Sequence, residues 1–279
     1  MRANLIRKLT RREMLRLSAG TLLSLGIWPG RLRAGENGHV AEDFSFIAVN
    51  DLHYREDACR PWFEEVVGQM RASAPQAELC LLGGDLADDG TAEQLIPIRD
   101  IFSKLSLPIY GVIGNHDYVT DEDRSAYERI YPDRLNYWFE HRGWQFVALD
   151  STQGRRATEA SIQAHTFRWL SDNLGKLQPG RPTILFTHFP LGEGMSARSL
   201  NADELLGHFL DFNLRAVFCG HYHGFSEVTF HSAKITTDRC CSRVRKNHDG
   251  TPEKGWFVCQ ATGGEIGRRF VELRVSENR

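Results

Sequence analysis

The chain has 279 residues, 41% hydrophobic and 25% charged, with a formal net charge of −2. That balance excludes a collagen-like, low-complexity or wholly disordered chain, and no apolar run reaches the roughly 18 to 20 residues of a membrane-spanning helix. Residues 1–34 hold eight Lys/Arg against one acid, Glu13, so residues 35–279 carry 26 basic against 35 acidic groups; a body of about −9 is a poor surface for nucleic acid or anionic lipid.

The first segment reads as an address. Arg11-Arg12 precede a charge-free run from Leu17 to Trp28, too short for an anchor, which Pro29-Gly30 ends. Paired arginines before a weak apolar run resemble the twin-arginine export signal of bacteria. The resemblance implies a signal peptide over residues 1–34, with Ala34 the best cleavage candidate. It also implies the twin-arginine export machinery as a partner, a periplasmic or secreted destination, and no stable membrane span after cleavage.

Beyond it, short apolar runs alternate with amphipathic segments, the pattern of α/β layering in one domain over residues 40–279. Phe44–Asn50 reads as a buried strand, and Arg60-Pro61 opens a helix to about Arg71. Leu79–Leu82, Ile109–Ile113, Thr183–Phe186 and Ala216–Cys219 are further strand candidates. Tyr137–Glu140 and Trp144–Leu149 flank Arg142-Gly143 as a hairpin, and Ala160–Leu177 has helical spacing. Phe225–Ile235, Gly255–Ala261 and Arg269–Val275 look β-rich. Of the six cysteines, Cys80, Cys219 and Cys259 sit in strand candidates as small hydrophobes, and without a CxxC a thiolate zinc site is not expected.

Polar residues of one kind follow the strand candidates: Asp51-Leu52-His53, Gly83-Gly84-Asp85, Gly114-Asn115-His116-Asp117, His188, and Gly220-His221-Tyr222-His223. Ligands in α/β folds bind beyond the carboxyl ends of strands, so five ends would bring Asp51, His53, Asp85, Asn115, His188, His221 and His223 to one rim. Oxygen and imidazole donors without thiolate suit Fe, Mn, Zn or Co. Seven groups, one shared, suffice for two ions about 3.5–4 Å apart, the clamp for in-line attack at phosphorus by metal-activated hydroxide. Alternation along an extended segment would send both members of Asp51/His53 and of His221/His223 to one face.

These blocks, in this order, resemble the motif set of calcineurin-like metallophosphoesterases. The resemblance implies a four-layer αββα sandwich and a binuclear centre. It assigns Asp51, His53, Asp85 and His223 to one ion and Asp85, Asn115, His188 and His221 to the other, with Asp85 bridging. It gives His116 a catalytic place near the leaving oxygen, with Asp88 orienting it. Asp117, on its own, reads as a structural cap of the next turn. Purple acid phosphatases carry Tyr where Asp88 stands and lack a counterpart of His53. The pattern is most similar to class III cyclic-nucleotide and glycerophosphodiester phosphodiesterases. The expected function is hydrolysis of a small phosphate ester, a phosphodiester or nucleotide before a phosphomonoester or phosphoprotein. A module that keeps the metals and only binds phosphate is the competing class. No nucleic-acid partner is expected. His39, His141, His165, His208, His231 and His248 read as surface or packing residues. The basic run Arg239–Lys246 reads as a solvated loop, or else as a contact for an anionic substrate.

Overall fold

The computed structural model describes residues 41–274, so the signal-peptide reading of residues 1–34 lies outside the described residues. Strand β1 (Phe44–Val49) is buried along its whole length, as its unbroken apolar sequence requires of a strand covered on both faces. It pairs in parallel with β2 (Ala77–Leu82), which pairs in parallel with β3 (Ile109–Gly111). On its other side β1 meets β10 (Gly255–Thr262) antiparallel, with Phe46 opposite Cys259, and β10 meets β11 (Glu265–Glu272). This first sheet therefore runs β11-β10-β1-β2-β3.

The second sheet has the order β4-β5-β6-β7-β9-β8. The expected hairpin forms as β4 (Tyr137–His141) and β5 (Trp144–Ala148), turning at Arg142-Gly143 with both residues at positive φ. Parallel strands β6 (Pro182–Phe186) and β7 (Asn213–Cys219) follow, then the hairpin β8 (Ser226–Phe230) and β9 (Ala233–Thr237).

Three apolar clusters define four layers. Phe44, Phe46 and Phe257 of the first sheet pack with Phe146, Phe186 and Phe218 of the second. On the outer side of the first sheet, Ile47, Val49 and Leu82 pack on α1 (Arg60–Ser73), α2 (Ala92–Ser103) and α3 (Ser125–Ile130). On the outer side of the second, Val147, Leu185 and Val217 pack on α4 (Ala164–Asn173) and α5 (Ala202–Gly207). The architecture is the expected αββα sandwich. All six cysteines are buried and free, and among the described residues no helix is long and apolar enough to cross a membrane.

Candidate metal centre

Parallel pairing sends the carboxyl ends of β1, β2 and β3 one way, and those of β6 and β7 likewise. The segments beyond them are stitched together: Asp51 N donates to Gly84 O at 3.1 Å, His53 N to Asp85 O at 2.9 Å, and Gly220 N to His188 O at 2.8 Å. The two sheets join where His221 N donates to both Asp51 carboxylate oxygens, at 3.1 and 3.0 Å.

Within this seam Asp51, His53, Asp85 and His223 gather ligand atoms within 4.8 Å of one another, and so do Asp85, His188 and His221. Asn115 joins the second group, its Oδ1 lying 3.2 Å from His188 Nε2. Asp85 is common to both, with Oδ2 3.4 Å from His53 Nε2 and Oδ1 3.3 Å from His188 Nε2. All seven sequence-picked ligands are thus brought together, although not by alternation. Asp51 (φ 55°), His53 (49°), Asp85 (51°), His221 (66°) and His223 (50°) all have left-handed backbone, so each pair converges through tight turns rather than along an extended strand. Each such residue costs on the order of 1–3 kcal/mol, a cost retained where the surrounding structure dictates it. Glycine is needed beside them: a Cβ on Gly114 would lie 2.2 Å from Asp85 Oδ1, and one on Gly84 2.6 Å from His188 Nδ1.

The outer hydrogen bonds fix which imidazole nitrogen faces inward. His188 Nδ1 lies 2.8 Å from Gly83 O, His223 Nδ1 3.2 Å from Lys246 O, and His221 Nε2 2.7 Å from Ala157 O. A carbonyl only accepts, so these nitrogens carry the protons and donate. His53 Nδ1 likewise donates to the Asp88 carboxylate at 3.1 Å. In the neutral imidazoles the inward nitrogens are then lone pairs facing other acceptors. His53 Nε2 and His223 Nε2 stand 3.1 Å apart, and His188 Nε2 faces Asn115 Oδ1 and the Asp85 carboxylate. Such an arrangement is repulsive unless cations stand among the groups, so the donors fit the divalent metals that the motif implies.

The titration behaviour agrees. Burial works against charge on His188, but Asp85 outweighs it and raises the imidazole to about 9; on His223 Asp51 outweighs burial and raises it to about 11. Burial with the charge of His188 instead lowers His221 to about 4. Burial also opposes ionisation of Asp85, yet His188, His53 and His116 hold it well below the usual carboxylate range. Without metal, protons are the cations that this cage takes up.

Asp88 does not orient His116 through its carboxylate, as the sequence suggested. His116 Nδ1 donates to the Asp88 backbone carbonyl at 2.7 Å, while the side chain serves His53, Arg55 and Arg245. The His116 ring packs edge-on against His53 at 4.8 Å. Asp117 caps its own turn, not the next: its carboxylate accepts from Gly114 N and from Ala87 N, both at 2.8 Å. Burial and the nearby Asp85 push that carboxyl up to about 7.

Sequence reasoning missed the segment 239–254. Cys240, Cys241 and Ser242 are buried, Lys246 supplies the carbonyl on His223, and His248 stacks on His223 with ring centroids 4.9 Å apart. The run is therefore not a solvated loop but a wall of the centre. Its alternating small apolar and basic residues (Cys240, Cys241, Val244 among Arg239, Arg243, Arg245) were the available signal.

A family model described as calcineurin-like phosphoesterase matches residues 44–225. A probable cyclic nucleotide phosphodiesterase of Synechococcus sp. is 28% identical over 166 residues, covering 54% of this chain and 62% of that protein. A probable glycerophosphodiester phosphodiesterase of Arcobacter nitrofigilis is 26% identical over 176 residues, covering 58% and 63%. The matches thus span less than two thirds of these relatives' length. The purple acid phosphatase from yellow lupin (Lupinus luteus) seeds has a similar fold, with a TM-score of 0.62 at 10% identity over 85% of this chain and 53% of that one. With the family model covering residues 44–225 and the family's ligand types converging at the strand ends, this chain belongs to the calcineurin-like phosphoesterases.

Proposed function

We propose that the protein is a binuclear metal-dependent hydrolase of small phosphate esters, phosphodiesters or nucleotides before monoesters. The observation that carries this is the ring of inward lone pairs, divided into two groups that share Asp85. Two bound cations would supply neutralisation of the phosphoryl oxygens and a water acidic enough to ionise near neutral pH.

The chain's own residues do the rest. Asp51, His53, Asp85 and His223 would hold one ion, and Asp85, Asn115, His188 and His221 the other. His116 keeps its Nδ1 proton on the Asp88 carbonyl, which leaves Nε2 to hold a proton for the departing oxygen. The left-handed turns and the crowded glycines set the ligands in advance of binding. The acidic body favours a small substrate over a polyanion.

Hydrolysis of bis(p-nitrophenyl) phosphate and p-nitrophenyl phosphate by the protein loaded with Mn, Fe, Co or Zn tests this. Turnover that favours the diester is the expected result; none with any metal would leave a phosphate-binding module. We also propose export through the twin-arginine route to the periplasm or beyond, on the strength of Arg11-Arg12 and the run that follows. Arg11→Lys with Arg12→Lys should leave unprocessed protein inside the cell, and normal export of that variant would refute the route.

A further inference from the structure

The Asp88 carboxylate is shared more widely than orienting His53 requires. Its Oδ2 accepts from Arg55 Nε at 2.7 Å, and its Oδ1 from Arg245 Nε at 2.8 Å and Nη2 at 2.5 Å. One negative charge thus serves two guanidiniums. The neighbouring acid, Asp89, lies 3.6 Å from Arg155 and 3.1 Å from the Gln94 amide, and reaches Arg55 only as a charge through space. The Asp88 side chain is 4% exposed, whereas those of Arg55 and Arg245 are 45% and 34% exposed. Among the described residues, Arg55 commits only Nε, and Arg245 keeps Nη1 uncommitted. A surplus positive charge with free fork donors therefore stands at the solvent boundary of the centre.

His116 belongs to the same corner. It is held by the Asp88 carbonyl and packs on His53, whose Nδ1 is on the Asp88 carboxylate. The Asp88 turn that holds His116 thus also holds Arg55 and Arg245. Guanidinium forks pair with planar oxyanions in two-point contacts, and Asp88 fixes both forks before any ligand arrives.

We infer that Arg55 and Arg245 form an anion-binding subsite for the leaving group, so that the substrate is a phosphoric diester or anhydride whose departing part carries a second phosphate or carboxylate. This rests on the hydrolase reading above. A substrate with a neutral departing part forgoes the contact. A purely structural role, pinning residues 239–254 to the Asp88 turn, would instead affect all substrates alike.

The probes are methyl 4-(carboxymethyl)phenyl phosphate and its carboxamide isostere, whose phenols are similar leaving groups but whose tails differ by one charge. The metal-loaded wild type should prefer the carboxylate ester by about tenfold in kcat/KM at low salt, and less as salt screens the pair. In Arg55→Gln and Arg245→Gln the carboxylate ester should lose at least five times more kcat/KM than the carboxamide, mostly through KM, and Arg245→Lys should restore part of the difference. No wild-type preference, or equal losses on both esters, would overturn the subsite. If the wild type turns over neither ester nor bis(p-nitrophenyl) phosphate, the hydrolase reading fails on its own. Calorimetric binding of the two esters then decides the subsite: a charge preference lost in Arg245→Gln supports it, and equal binding refutes it.

Discussion

Asp85 is the residue on which two groups of ligands depend, since each of its oxygens faces a different histidine. Around it the side chains with obvious chemistry were legible in the sequence, because Asp, Asn and His just past an apolar run, with glycine directly before them at Asp85, Asn115 and His221, have few other reasons to recur. Their partners were not: a carbonyl such as Gly83 O or Lys246 O has no side-chain signature, and Asp88 reads as an acid beside His116 until its carboxylate is seen on His53. That reassignment makes two predictions. Asp88→Asn should weaken metal affinity about 10–100-fold, as outer partners of metal-bound histidines generally do, in a competition titration against a chelator. An unchanged affinity would deny Asp88 its hold on His53. His116→Gln should retain the metals by elemental analysis while kcat falls about 10²–10⁴-fold, most for the poorest leaving groups. Equal losses for good and poor leaving groups would remove the proton-donor role.

Among the elements, strands were read closely because their apolar runs are continuous, as at β1 and β6. Helix α2 was missed although Leu95, Ile98 and Phe102 have helical spacing, since Pro97 inside it reads as a breaker. Pro97 lacks the N–H that would bond the carbonyl of Glu93, a residue on the exposed face. Helices α3 and α5 have six residues each, too short for a periodic signal. The least legible feature was the backbone of the ligand turns, because positive φ at Asp51, His53, Asp85, His221 and His223 is imposed by the stitched turns and not by residue type. Gly114 tests that turn geometry. Gly114→Ala would press a Cβ against Asp85 N and Oδ1, both at 2.2 Å. The substitution should lower stability by about 2–4 kcal/mol and reduce metal content, measured by denaturant unfolding and elemental analysis. Wild-type values for both would mean that the turn is far more yielding than its contacts imply.

For the whole molecule, four layers were implied by resemblance, whereas strand order was out of reach of periodicity. The final hairpin returns to the first sheet and sets Phe44 against Ala261, a pairing that no local pattern encodes. Protonation also acts on the molecule as a unit. At pH 7 the metal-free centre keeps protons on His188, raised to about 9, and His223, raised to about 11, and both must leave before a cation can use Nε2. Loading should therefore release about two protons per chain at pH 7, affinity should fall as pH falls, and calorimetry in buffers of different ionisation enthalpy reads the number. Release of none would contradict the protonation of His188 and His223 in the metal-free centre. The buried Asp238 gives a stability counterpart, for burial raises its carboxyl to about 8, and Oδ2 has no hydrogen-bond partner among the described residues. A raised carboxyl binds its proton more tightly in the folded state, so its contribution is present below about 4 and is lost as pH rises toward 8. Asp238→Asn should accordingly gain about 2 kcal/mol over wild type at pH 8.5, with little difference at pH 4, by denaturant melts.

The most direct measurement is metal stoichiometry of the loaded, desalted protein beside Asp85→Asn. The wild type should hold about two transition-metal ions per chain, as a shared carboxylate between two ligand groups requires, and Asp85→Asn fewer than one. A wild type that stays cation-free, or an Asp85→Asn variant that keeps both ions, would contradict the binuclear centre.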